Sequence, residues 1–165
     1  MKIKYLLLLF TGLMIAIVIN SCKKQNQVTI QTLFTGSSWQ LASVLVTHYV
    51  GSTQLSTDTL NTKCNLTQLF TFNSNNTCTY TNFDCIPQST ASAQWSLSSD
   101  EVTLFADVVC KDTTAVGSSM PFANAEITNL GNYSLVLLTG DIATNYSLTA
   151  KRRIVQYGFV RVKSQ

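Results

Sequence analysis

The chain has 165 residues, 45% of them hydrophobic and only 12% charged, with a formal net charge of +3 at pH 7. That is one domain's worth of sequence plus a short appendage, apolar enough for a packed core and too weakly basic for a nucleic-acid partner. The only basic cluster, Lys151 to Arg153, is a run of three charges and reads as a solvated patch.

Lys2 and Lys4 open the chain, and Tyr5 to Ile19 form an uncharged, mostly apolar run of 15 residues. A membrane-spanning helix needs roughly 20. A basic start, a short apolar stretch and a small-residue end predict a secretory signal over residues 1–21. Cys22 directly follows Ile19-Asn20-Ser21, which resembles a relaxed form of the lipobox of bacterial lipoproteins. The resemblance implies that Cys22 is alkylated by diacylglycerol, becomes the first mature residue and is acylated on its new amine. Several acyl chains at about 0.8 kcal/mol per methylene hold a protein firmly where one chain holds it marginally. Lys23 and Lys24 would then sit beside anionic headgroups. An ordinary cleaved signal and an uncleaved anchor are the plain alternatives. The implied address is the bacterial cell envelope, lipid-anchored at the outer membrane. No acidic residue follows Cys22 closely, which leans toward the periplasmic face.

The mature chain, Cys22 to Gln165, has 144 residues, and nine basic residues face eight acidic ones. Residues 22–32 are polar enough to serve as a lipidated tether, leaving 33–165 as the folded domain. Thr29 to Gly36, "TIQTLFTG", predicts one turn of helix. Beyond it, short alternating runs separated by Asn, Ser and Gly breaks are the pattern of strands and turns. Expected strands are Trp39–Val50, Gln54–Thr62, Gln68–Phe72, Cys78–Asn82, Ala91–Leu97, Val102–Val108, Phe122–Asn129, Tyr133–Thr139, Tyr146–Ala150 and Ile154–Val162.

A one-residue slip reverses every face of a strand, so apolar partners that meet across turns test the register. Pairing Phe72 with Cys78 sets Phe70 opposite Tyr80. Pairing Leu97 with Val102 sets Trp95 opposite Leu104, and a two-residue turn at Gly131-Asn132 sets Leu130 opposite Tyr133. Val155, Tyr157 and Phe159 alternate with Gln156, Gly158 and Val160. The result is an all-β, antiparallel, up-and-down meander. Four cysteines follow Cys22, at positions 64, 78, 85 and 110. In an exported chain an even set reads as disulfides, two bridges with three possible pairings. A zinc site is the rival, with wide spacings and His48 as the sole histidine. The registers bring Cys64 and Cys85 to the base of one hairpin, leaving Cys78 with Cys110. The same meander sets Cys110 at the opposite end from Cys78.

"LFTGSSWQLASV", Leu33 to Val44, resembles the opening of lipocalin-like domains in Bacteroidetes lipoproteins. "LFTFNSNNTCTY", "AQWSLSSDEVTLF" and "AEITNLGNYSLVLL" follow the same habit. Two residues rather than one separate Gly36 from Trp39, and the helix that flanks the barrel in the classical family is missing. The resemblance implies a closed barrel of about eight strands, whose interior is filled or holds one small ligand. It casts Trp39 as the plug of the closed end. The inward positions Phe70, Phe72, Tyr80, Trp95, Leu104, Leu135, Leu137, Tyr157 and Phe159 are the pocket candidates, each also a plain core residue. Tyr80 and Tyr157 add a hydroxyl able to orient a ligand.

Catalysis has little foothold. His48 stands on a strand with no evident nucleophile, and the acids Asp58, Asp84, Asp100, Glu101, Asp107, Asp112, Glu126 and Asp141 are scattered. No cofactor motif or metal spacing appears. The expectation is a non-enzymatic envelope lipoprotein whose partners are the membrane and a small apolar or amphipathic ligand. The alternative is a filled barrel whose loops contact another envelope protein.

Overall fold

The computed structural model describes residues 30–60, 63–111 and 119–162. The expected signal, Cys22 and most of the expected tether lie outside them. The described residues from Leu33 onward form one compact unit. Residues 30–35 are helical, as the sequence expects, and extend into the last positions assigned to the tether.

Nine strands follow: β1 (Ser38–Val50), β2 (Thr53–Leu60), β3 (Leu69–Phe72), β4 (Thr77–Thr81), β5 (Ala91–Leu97), β6 (Thr103–Ala106), β7 (Ala125–Leu130), β8 (Ser134–Gly140) and β9 (Lys151–Arg161). Each pairs antiparallel with its neighbour, and β9 returns to β1 along its length, so β1 and β3 to β9 close an eight-stranded barrel. β2 is the extra strand. It occupies the edge of β1 from Val44 to Val50, while β3 takes the same edge lower down, from Ser38 to Gln40. β2 and β3 are thus successive pieces of one broken strand, and all eight residues of β2 are exposed.

The alternation in the sequence explains which residues turn inward. On β9, Val155, Tyr157 and Phe159 are buried and their neighbours are not. On β1, Trp39, Leu41, Val44 and Val46 are buried, with the period broken at Ala42. There the ladder steps from Leu41–Phe159 to Ser43–Gly158, a bulge that inserts one residue and keeps Val44 facing in. All the strand pairings and the buried apolar core fall within Leu33–Gln165, so this part carries its own folding information.

Three expectations need correction. The register of Phe72 with Cys78 and Phe70 with Tyr80 holds, but Leu97 pairs with Leu104 and Trp95 with Ala106. The turn is wider because Ser98 Oγ donates to Asp100 Oδ1 at 2.6 Å and accepts from Thr103 N at 3.0 Å. Leu130 likewise pairs with Leu135, across a turn closed by Gly131 N donating to Ser134 O. Both slips are by two residues, so every face is preserved. Residues 146–150 form no strand, because β8 pairs directly with β9 and leaves no ladder between them.

The third concerns sulfur. Cys64 and Cys85 form a disulfide, with α-carbons 5.8 Å apart. Cys78 and Cys110 are free, buried thiols. Cys78 on β4 faces Ala93 on β5, whereas Cys110 lies in the β6–β7 connection and its backbone pairs with Ser119.

Candidate functional site: the open end of the barrel

One end of the barrel is sealed. Phe34 and Trp39 are fully buried, and the Phe34 ring lies 4.8 Å from Phe72 and 5.7 Å from Trp95, centroid to centroid. Trp39 Nε1 donates to Phe34 O at 3.1 Å, and Arg161 stacks its guanidinium on the Trp39 ring. Trp39 is thus packed between the Phe34 carbonyl and the Arg161 guanidinium.

The middle is filled by rings. Phe70 contacts Phe72, Tyr80, Phe122 and Phe159 at centroid distances of 4.2, 5.2, 4.9 and 6.1 Å. Phe122 reaches in from the β6–β7 connection and meets Tyr80, Phe83, Tyr157 and Phe159 as well. Leu104, Leu135 and Leu137 are fully buried around them.

Above this floor a cavity of about 640 Å³ opens at the other end. Its walls are Leu41 and Val44 of β1, Leu60 of β2, Thr139 and Gly140 of β8, and Arg153, Val155 and Tyr157 of β9. Phe83 and Asp84 line it from the β4–β5 connection, and Ser119 to Pro121, Ala123 and Asn124 from the β6–β7 connection. Of the nine pocket candidates read from the sequence, only Tyr157 borders this space. Phe70, Phe72, Tyr80, Trp95, Leu104, Leu135, Leu137 and Phe159 are packed below or beside it, as core. Aromatic rings at successive inward positions fill an eight-stranded barrel by volume alone. The lining that sequence reasoning missed comes mostly from connections, where periodicity carries no signal.

Two features hold the wall. Asp84 and Cys85 both have left-handed backbone, with φ of 51° and 59°, in the tight turn that Ile86 N closes onto Phe83 O. The Cys64–Cys85 bond fixes that turn, and Gln68 Oε1 accepts from Cys85 N at 2.9 Å. Gly140 ends β8 at φ 88°, and a β-carbon there would collide with the carbonyl oxygen of Arg153.

The polar groups near the floor are few. Burial pushes the Tyr157 hydroxyl up to about 12, while the Arg153 charge and a hydrogen bond with Thr139 pull the other way. The Tyr80 hydroxyl is buried without a hydrogen-bond partner among the described residues, and its pKa is raised well above the ordinary phenol value, chiefly by burial. Burial likewise raises the Cys78 and Cys110 thiols, to about 11 and about 12.

Beyond the mouth, β2 and the far ends of β1 and β9 project as a three-stranded flap. His48 lies 3.9 Å from Asp58 on it, with both side chains substantially exposed. A shallower depression of about 400 Å³ lies between Leu55, Tyr49 and the basic run Lys151 to Arg153. Among the described residues no three His, Cys, Asp or Glu side chains gather as metal ligands. No protein-family model matches the chain, and a comparison with characterised proteins finds no match.

Proposed function

We propose that this chain is a lipid-anchored envelope lipoprotein of lipocalin-like type that carries one small apolar or amphipathic molecule at the open end of its barrel. The reading is non-enzymatic. One observation carries it: the cavity of about 640 Å³, with Leu41, Val44, Val155 and Pro121 among its walls and a handful of polar groups. That volume and balance suit a single small ligand. His48 and Asp58, exposed and 3.9 Å apart, make a weak surface pair, and Ser56, which faces His48 across the β1–β2 ladder, has no hydrogen bond to it among the described residues. Native mass spectrometry of residues 23–165, mixed with a panel of fatty acids, phospholipids and sterols, tests the reading. One bound molecule per chain is expected; an empty barrel against every class rejects carriage. For the anchor, cells fed labelled palmitate should label the full chain and fail to label a Cys22→Ser variant.

The exposed extra strand β2 favours a second reading, in which the flap meets another envelope protein. Crosslinking in cells from a photoreactive residue at Leu55 would then yield one discrete adduct, absent under the carrier reading.

A further inference from the structure

The three arginines of β9 are used differently. Arg161 stacks on Trp39 and donates to Leu33 O at the closed end. Arg152 donates to Asp141 O and Gly51 O, and lies over the Tyr146 ring at 3.7 Å. Arg153 borders the cavity. Its backbone N–H bonds to Asp141 Oδ2 at 2.8 Å, but its guanidinium has no hydrogen-bond or ion-pair partner among the described residues. Its charge is felt at the Tyr157 hydroxyl, which also meets the Thr139 side chain. A cation and two hydroxyls thus converge on one side of an otherwise largely apolar space.

A guanidinium at a rim is suited to an oxyanion, since a charge-assisted pair there forms without the cost of full burial. The lining also carries Asp84, whose negative charge is sensed by Tyr157, and the Asp141 carboxylate accepts from the Arg153 backbone N–H. Arg153 is the cationic side chain among the described lining residues, so the favourable position for an anion is beside it on β9. We propose that the cavity takes a single-chain amphiphile with one anionic head group, a carboxylate or a phosphate. Arg153 binds the head at the rim beside Tyr157 and Thr139, and the chain lies against Leu41, Val44 and Val155. This rests on the carrier reading and adds the class of ligand to it.

The probes are dodecanoate, dodecyl phosphate and dodecanol, titrated calorimetrically into residues 23–165. At least one of the two anions should bind about tenfold tighter than the alcohol, and the favoured one separates a free fatty acid from a phosphate-headed lipid. Arg153→Gln should bring that anion down to the alcohol's affinity and leave the alcohol unchanged. Arg153→Lys should keep most of the preference, with thermal melts confirming that both variants fold. Alcohol and anions binding alike, or a preference that survives Arg153→Gln, overturns the head-group site and leaves the carrier reading standing. Failure of all three probes to bind overturns the single-chain amphiphile site, and the carrier reading is then decided by the wider lipid panel.

Discussion

The guanidinium carbon of Arg161 lies 4.8 Å from the centre of the Trp39 ring, and the two residues pair directly across the β1–β9 ladder. The first and last strands of the barrel are therefore joined by backbone bonds and by a cation on an aromatic face. Replacing Trp39 with Ala removes a fully buried indole and its bond to Phe34 O, and should cost about 3–5 kcal/mol in urea unfolding. Arg161→Met keeps the stem over the ring and should cost about 1–2 kcal/mol. Equal losses in the two variants would contradict the division of roles between ring and charge.

Removing the disulfide lengthens the accessible unfolded chain across a sequence separation of 21 residues. A Cys64→Ser, Cys85→Ser double variant should unfold about 3 kcal/mol more easily than the oxidised protein. Adding reductant to the wild type should reproduce most of that loss, and should leave the double variant unaffected.

Tyr80→Phe runs against the usual direction of core substitutions. The hydroxyl is buried with no partner, while the ring stacks on Phe122. Deleting the oxygen removes an uncompensated desolvation penalty, so the variant should gain about 1 kcal/mol in chemical denaturation. A clear loss of stability would mean that the oxygen has a bond to break.

Alkaline pH should weaken the fold before it affects surface charges. Cys78 and Cys110 are raised by burial from an ordinary 9.0 to about 11 and about 12. Tyr157 is raised from 10.0 to about 12. Groups whose pKa is raised on folding stabilise the fold fully below their unfolded value, and that contribution is lost as pH climbs toward the folded value. Stability should therefore decline between about pH 9 and pH 12, each thiol costing about 1 kcal/mol by pH 10. Melting temperatures across this range, compared with a Cys78→Ala, Cys110→Ala variant of shallower slope, provide the check.

The architecture was largely legible because strand faces are written with period two, and slips of two residues do not alter that message. Phe70, Tyr80 and Phe159 are identified as inward without knowing any turn. The turns misled where side chains bonded to backbone, as at Ser98 and Asp100. The segment 146–150 has strand-forming residues, but Leu148 is 82% exposed and Tyr146 lies against Arg152, so local preference lost to the direct β8–β9 ladder. The cavity was less legible than the barrel. Phe83, Asp84, Met120 and Pro121 reach it from connections, and Phe122 fills the interior from a position expected to begin a strand. Which inward rings leave space and which consume it depends on how far each reaches across the barrel, a property that spacing along the chain does not encode.

The two sequestered thiols also set an order of events during maturation. Before the ribbon closes, Cys64, Cys78, Cys85 and Cys110 can all meet an oxidant and one another. Afterwards Cys78 and Cys110 are fully shielded, and Cys64 alone of the four remains openly reachable beside its mate. Sulfur chemistry of this kind follows shape rather than guiding it: oxidation that outran collapse would trap crossed linkages, and among the described residues the closed barrel exposes no free thiol to a later oxidant.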